Sequence, residues 1–92
     1  MISRKFDNFS NVCGKNIENL RKSKHFSRSA LSNKLMLIGI DINYDSIYKI
    51  ENGRRIVKDF ELSAIAKVLD TTETELLNDF RKKLDSDNSN VK

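Results

Sequence analysis

Apolar residues recur along the chain at intervals of three and four, which places them on one face of successive helices. The stripe of the first predicted helix consists of Phe9, Cys13, Ile17 and Leu20, and that of the second of Leu31, Leu35 and Ile38. Ile47 and Ile50 mark a short third helix, residues 60–69 a nearly all-round apolar fourth, and Leu76, Leu77, Phe80 and Leu84 a fifth. The sequence has no proline and no alternating strand pattern. It therefore predicts an all-α bundle of five helices.

Residues with known capping preferences mark the helix ends. Ser27 and Asn43 precede the second and third helices, where their side-chain oxygens can accept a hydrogen bond from the first turn. Thr72 followed by Glu75 forms the capping-box pattern that opens the fifth helix. Gly53 can take the left-handed conformation just past the end of the third helix. Short turns therefore separate the predicted helices.

The composition divides the chain into three parts. Residues 1–8 are polar and unpatterned and form a predicted N-terminal arm, whereas residues 9–84 carry the helical pattern of a single small domain. Residues 85–92 are rich in Ser, Asn and Asp, so we expect a disordered polar tail. Glycine weakens a helix interior, so Gly14 in the first predicted helix indicates a close contact with a neighbouring element.

Charge is distributed unevenly between the two ends of the chain. Residues 1–58 hold 12 Lys/Arg and 5 Asp/Glu, whereas residues 59–92 hold 5 Lys/Arg and 8 Asp/Glu, for a net charge of +4. A basic front and an acidic rear suit a polyanionic partner, although small soluble proteins also show such imbalance without one.

Several classes of function lack the residues that they need. No apolar run approaches the roughly 18 residues of a membrane span, and no signal-peptide pattern is present. One cysteine and one histidine cannot form a structural zinc site, and Cys13 is most simply a packing residue. No Gly-rich phosphate loop or nucleophile motif is visible. We therefore expect a cytoplasmic protein that is not an enzyme and needs no cofactor.

Four segments of the chain carry a family resemblance. They are residues 14–21 in the first helix, residues 26–31 in the second, residues 46–55 around Ile50-Glu51-Asn52-Gly53 in the third, and residues 64–69 with residues 74–77 behind them. In this order, over about residues 12–78, the chain resembles the Cro/CI-type helix-turn-helix domains, also called XRE or lambda-repressor-like. The resemblance implies a five-helix bundle whose second and third helices form the helix-turn-helix. The turn that contains Gly39-Ile40-Asp41-Ile42 is longer than usual, which suggests a subfamily.

The resemblance also implies roles for individual residues. It assigns base readout to Tyr44, Asp45 and Lys49, and a phosphate contact to Asn52. Charge and position near helix ends or beside the third helix add further candidates for contact with the DNA backbone, namely Arg28, Asn43, Tyr48, Arg54, Arg55 and Lys58. Lysine can donate to guanine O6 or N7, and aspartate can accept from cytosine N4. The alternatives are an ordinary solvated helix face, solubility charges for the arginine pair, and a helix cap for Asn52. Arg21 and Glu51 match positions that form an ion pair in relatives.

These observations favour a transcriptional regulator that binds double-stranded DNA sequence-specifically. A single small domain covers little DNA, so we expect a homodimer on a palindromic site. The apolar residues of the fifth helix are the candidate dimer surface, and they are equally compatible with a core role. The alternative function is an antitoxin-like or other protein-binding module on the same fold, in which the longer turn contacts a protein partner.

Overall fold

The computed structural model describes residues 8–89, with side chains up to Asp85. The described residues form an all-α fold whose helices are α1 (Gly14–Ser23), α2 (Arg28–Leu37), α3 (Tyr44–Glu51), α4 (Asp59–Val68), α5 (Glu73–Leu76) and α6 (Asn78–Ser89). None of these helices is both long and apolar enough to cross a membrane. Residues 1–7 of the predicted arm lie outside the described part.

The predicted fifth helix is divided into two helices, α5 and α6, which makes six in the described part of the chain rather than five. The break is at Leu77, whose backbone N–H is shared between the carbonyl groups of Glu73 at 3.1 Å and Thr74 at 3.2 Å. This shared bond tightens the turn and interrupts the regular helix for one residue. α6 then continues to Ser89, into the segment for which the composition favoured disorder. The division into arm, domain and tail stays a prediction.

The first helix begins at Gly14, five residues later than the apolar pattern predicted. Asn11 accepts a hydrogen bond from the Gly14 N–H at 2.8 Å, and its amide nitrogen donates to the carbonyl groups of Ile50 at 3.0 Å and Arg55 at 2.8 Å. The assignment of Phe9 to the helix is therefore wrong. Phe9 instead lies against Gly53, and Ser10 N donates to the Gly53 carbonyl at 2.7 Å. The segment before α1 thus fastens the end of α3.

The core contains most of the residues of the predicted apolar stripes. From α4 it includes Ile65, which is fully buried. The fully buried side chains are Ile17, Leu31, Leu35, Ile42, Ile47, Ile50, Ile65, Leu69 and Leu76. Each such side chain contributes about 1.5–3 kcal/mol of transfer free energy. Cys13 is also buried, and burial raises the pKa of its thiol to about 11. This environment fits a packing role.

Four residues of the predicted apolar stripes lie at the surface, namely Phe9, Ile38, Phe60 and Leu84. Ile38 is 42% exposed and Phe60 is 55% exposed. α2 ends at Leu37, so Ile38 has left the helical phase that would have directed it inward. Phe60 is in the first turn of α4 on its solvent side, and the prediction of an all-round apolar helix was wrong there.

The predicted close contact at Gly14 is confirmed. A Cβ atom at this position would collide with the backbone carbonyl oxygen of Ile50. Because only glycine leaves that space free, the start of α1 packs directly against the end of α3. At the same end of α3, Gly53 has a φ of +74°, the left-handed conformation that the sequence predicted. These contacts set the position of α3 relative to the core.

Candidate nucleic-acid interface

The third helix presents one polar face to solvent. Asn43 caps it, since the Asn43 side-chain oxygen accepts from the Ser46 N–H at 2.9 Å. Ile47 and Ile50 point into the core, with 1% exposure each. The three predicted base readers, Tyr44, Asp45 and Lys49, are all exposed and lie on the opposite side of the helix. The structure therefore places them together on a surface that a large ligand can reach.

Asp45 and Lys49 contact one another on this face. The Lys49 Nζ atom is 3.1 Å from Asp45 Oδ2, and both side chains are about half exposed or more. An exposed ion pair at this helical spacing is worth about 0.3–0.5 kcal/mol. It is therefore weak enough to be exchanged for contacts with a ligand. Both side chains therefore remain accessible from solvent.

Tyr48 lies between two guanidinium groups at the edge of the face. The Arg28 Cζ atom is 5.1 Å from the centroid of the Tyr48 ring, and the Arg54 Cζ atom is 5.7 Å from it. Arg28 also lies 5.9 Å from the Tyr44 ring centroid. Cation–π contacts of this kind contribute about 0.5–1 kcal/mol each at exposed sites. They order both tyrosines and concentrate positive charge beside the predicted readers.

Glu51 at the end of α3 accepts hydrogen bonds from two arginines. Arg21 donates through Nε at 2.6 Å and through Nη2 at 3.1 Å, and Arg28 donates through Nε at 2.9 Å. Arg21 and Glu51 are each 6% exposed. Arg21 also donates through Nη1 to the Phe26 carbonyl at 2.7 Å. This charge network joins α1, the start of α2 and the end of α3.

The structure thus brings Arg21 and Glu51 together as the family resemblance implied. Sequence reasoning missed that Arg28, assigned to DNA phosphate, shares the same carboxylate. The hydrogen bond to Glu51 raises the pKa of Arg28 above its ordinary value, so the guanidinium stays charged. The Arg28 side chain retains 22% exposure, and the Arg28 Nη2 atom is 3.7 Å from Glu18 Oε2.

The two consecutive arginines after α3 have different surroundings. Arg54 is exposed, whereas Arg55 donates to both oxygens of Glu61, through Nη1 at 2.9 Å and through Nη2 at 3.0 Å. This contact with Arg55 holds the pKa of the Glu61 carboxyl below its ordinary value of 4.5. Glu61 also accepts from the Lys58 N–H at 3.0 Å, so it caps α4. Arg55 is therefore already bound to a carboxylate, and Arg54 is the more available of the two.

The remaining predicted backbone contacts are amide and lysine groups near the helix ends. Asn52 donates its side-chain N–H to the Tyr48 carbonyl at 3.0 Å, which is the helix-cap role that the sequence left open. Lys58 is exposed, with its Nζ atom 5.8 Å from the Phe60 ring centroid. Asn43 is exposed at the opposite end of α3.

Asn11 and Glu61 are the site-supporting residues that sequence reasoning missed. Asn11 lies between α1 and the end of α3, a long-range contact for which the local sequence gives no signal. Glu61 occupies the third position of α4, where a glutamate commonly caps a helix, and that position was the available signal. In the part of the chain that the structure describes, no buried side-chain polar atom lacks a hydrogen-bond partner. The same residues contain no cluster of ligands suited to a metal ion.

Comparison with protein-family models matches residues 17–76, nearly two thirds of the chain, to a helix-turn-helix family. Comparisons with curated proteins and with solved structures gave no significant match. The matched range includes α2, α3 and the turn between them, which present the exposed polar face. The family consists of DNA-binding regulatory domains rather than enzymes. The chain belongs to the Cro/CI-like helix-turn-helix family.

Proposed function

We propose that this protein is a transcriptional regulator that reads double-stranded DNA sequence-specifically in the major groove with α3. The observation that carries the proposal is the exposed face of α3, on which Tyr44, Asp45 and Lys49 stand beside the stacked guanidinium groups of Arg28 and Arg54. Cations dock on phosphates and set the register, while neighbouring polar side chains contact base edges.

Each predicted reader has chemistry that suits a base edge. Lys49 donates to guanine O6 or N7, and Asp45 accepts from cytosine N4. Asp45 repels phosphate, so it contributes to selection between sequences more than to overall affinity. Tyr44 contacts a thymine methyl group or a phosphate. The ion pair between Lys49 and Asp45 is exposed and weak, so both groups are available for these contacts.

The side chains proposed to contact the DNA backbone fall into two groups, those that bind no carboxylate among the described residues and those that already bind one. Arg54, Lys58 and Asn43 are exposed and supply the phosphate contacts, with the N-terminus of α3 adding free N–H groups beside Asn43. Tyr48 and Asn52 contribute at the sugar–phosphate edge. Arg28 and Arg55 already donate to Glu51 and Glu61, so each retains only its remaining donors for DNA.

The Glu51 network supports the reading face. Major-groove recognition needs the reading helix held at a fixed angle to the helix before it. Glu51 binds Arg21 of α1 and Arg28 of α2, and Asn11 binds the carbonyl groups of Ile50 and Arg55. These contacts fix the tilt of α3 relative to α1 and α2, and they hold its C-terminal end in place. The longer turn after α2 sets the angle in this protein, and we propose that it defines a subfamily.

A selection followed by a titration tests the proposal. Duplexes bound by the protein are enriched from a random pool, and the affinity for the winning sequence is compared with that for a scrambled duplex at several salt concentrations. We expect one enriched motif, and affinity for it about 10³-fold or more above the scrambled control. Lys49→Ala is compared with Lys82→Ala on α6, which should leave the motif unchanged. Equal affinity for all duplexes would contradict sequence-specific reading.

A protein-binding module is the second candidate function. The observation in its favour is Leu37, which ends α2 with 85% exposure, next to Met36 with 52%. Exposed apolar side chains at adjacent positions are suited to a protein contact. A protein of this kind would bind its partner with or without DNA, and replacing Leu37 by Lys would weaken that complex while leaving duplex binding intact.

A further inference from the structure

Tyr44 and Tyr48 lie one helical turn apart on the exposed side of α3, and the same arginine lies over both rings. The Cζ atom of Arg28, at the start of α2, is 5.9 Å from the centroid of the Tyr44 ring and 5.1 Å from that of Tyr48. Residues four apart on a helix are neighbours on its surface, so one guanidinium group can contact both. The two side chains are 51% and 41% exposed. The contact from α2 therefore limits the orientations of two tyrosines that lie outside the core.

Arg28 is itself held on its inner side by a buried carboxylate. Its Nε atom donates to Glu51 Oε1 at 2.9 Å, and its Nη2 atom is 3.7 Å from Glu18 Oε2. The Glu51 side chain is 1% exposed, and the same carboxylate accepts hydrogen bonds from Arg21 of α1. The position of the Arg28 guanidinium group is therefore set by the interior of the domain rather than by solvent.

The surroundings of Arg28 differ from those of Arg54, the other arginine beside the tyrosines. The Arg28 side chain is only 22% exposed and faces carboxylates, whereas Arg54 is exposed and lies 5.7 Å from the Tyr48 ring centroid. Among the described residues, Arg28 is the one cation that lies over the Tyr44 ring, while Tyr48 contacts both arginines. Loss of Arg28 would therefore release Tyr44 more than Tyr48.

We propose that Arg28 is a positioning residue for base reading, which holds Tyr44 in the orientation that meets a base edge. This inference rests on the proposed function of α3 and deepens it, because it assigns part of the sequence preference to a residue of α2. Arginine suits the role, since its planar group donates to a carboxylate while its face lies over an aromatic ring. Lysine carries the same charge but cannot make both contacts at once.

The ordering of the two rings can be measured without DNA. The chain contains two tyrosines and no tryptophan, so the tyrosine band in near-ultraviolet circular dichroism comes from Tyr44 and Tyr48 alone. We expect Arg28→Lys to lose most of this band while the far-ultraviolet spectrum of the helices is unchanged. The matched control is Lys22→Ala, which removes another cation from Glu18 and should leave the band intact.

Selection from a random duplex pool measures the effect on reading. Tyr44→Ala identifies the base pair whose preference depends on Tyr44. Arg28→Lys should reduce discrimination at that same base pair about fivefold or more. Adding Arg28→Lys to Tyr44→Ala should cause no further loss of discrimination there, because Arg28 acts through Tyr44.

The salt dependence of binding separates positioning from a phosphate contact. Arg28→Gln removes the charge, yet it should change the slope of log affinity against log salt by less than about 0.5, whereas a lost phosphate contact changes it by about 0.9. Arg54→Ala is the contrasting control, which should lower the slope by about 0.9 and keep the base preference.

Thermal unfolding gives the temperature range in which each variant is folded, and the comparisons are made within it. The proposal would be overturned if Arg28→Gln lowered the slope by about 0.9 while Arg28→Lys kept the wild-type slope and base preference. An unchanged tyrosine band in Arg28→Lys would also overturn it. If wild-type protein enriched no motif, the proposed function would fail instead, and the tyrosine band would still show whether Arg28 orders the rings.

Discussion

Arg21 on α1 and Glu51 on α3 form a buried ion pair with two hydrogen bonds, at 2.6 Å and 3.1 Å. The pair joins the first helix, α1, to the last residue of α3, the helix that presents the candidate reading face. Its position means that the geometry of the surface and the stability of the fold depend on the same carboxylate. Arg28 completes the arrangement with a third hydrogen bond to Glu51.

Replacing Glu51 by Gln should lower the free energy of unfolding by about 3–5 kcal/mol, because it leaves two arginines without their buried counter-charge. Urea unfolding followed by circular dichroism measures the change. The matched control is Lys15→Ala, which removes an exposed ion pair with Glu18 and should cost about 1 kcal/mol or less. A loss at Glu51 as small as that at Lys15 would show that the network does not stabilise the fold.

Replacing Gly14 by Ala should destabilise the protein by about 1–3 kcal/mol, although alanine is the better helix former. The added Cβ would collide with the Ile50 carbonyl oxygen, and backbone cannot move aside as a flexible side chain can. The control is Asn19→Ala, an exposed position on the same helix, which should be neutral or slightly stabilising. If Gly14→Ala raised the unfolding temperature, the direct packing of α1 on α3 would be incorrect.

Acidification should weaken the contribution of Glu61 to the stability of the folded protein. Since Arg55 holds the pKa of the folded-state Glu61 carboxyl below its ordinary value of 4.5, the deprotonated form stabilises the fold. That contribution is present above about pH 5 and is lost as the pH falls through the lowered pKa. The stability difference between wild type and Glu61→Gln should therefore shrink as the pH falls below the ordinary carboxyl pKa of 4.5. A difference that stays constant over this range would mean that the two side chains are not coupled.

The arginine pair after α3 should separate into two effects. Arg54→Ala should reduce the salt dependence of DNA binding by about one phosphate contact, with little change in stability. Arg55→Ala should reduce the salt slope less and lower the stability more, because Arg55 is bound to Glu61. Affinity measurements at several salt concentrations, together with thermal unfolding, distinguish the two. A larger loss of salt slope for Arg55→Ala, together with a larger loss of stability for Arg54→Ala, would contradict this division of roles.

Lys49→Ala should cost about 1–3 kcal/mol on the selected duplex and relax the preference at one base pair. The physical reason is that Lys49 supplies a donor to a base edge rather than to a phosphate. Repeating the selection with the variant shows which position loses its preference. If affinity for random duplexes falls by the same factor, Lys49 is a phosphate contact instead.

The parts of the fold that depend on local interactions were predictable from the sequence. Ser27, Asn43 and Thr72 each accept a backbone N–H of the first helical turn, as their sequence positions indicated. The apolar spacing also placed Ile47 and Ile50 in the core, because a helix repeats every 3.6 residues wherever it occurs. Because these two positions are buried, the opposite side of α3 is exposed, and that side is the candidate reading face.

Features that depend on long-range contacts could not be predicted in this way. Asn11 stops the helical pattern before Gly14 because its side chain binds backbone groups some forty residues away along the chain. Phe60 fits the apolar pattern of α4, yet it faces solvent because no other element in the described part of the chain covers that side. Arg28 and Arg55 appeared to be free cations, and their partners Glu51 and Glu61 became apparent only with the tertiary structure.

The central claim is that the exposed face of α3 binds duplex DNA. An NMR titration of isotope-labelled protein with the selected duplex tests it most directly, through the backbone amide signals of each residue. The account predicts that the largest shifts occur at Tyr44, Asp45, Tyr48 and Lys49, with smaller shifts at Arg54 and none on the exposed side of α6. Saturating duplex that leaves the α3 signals unchanged, or that shifts α6 instead, would contradict it.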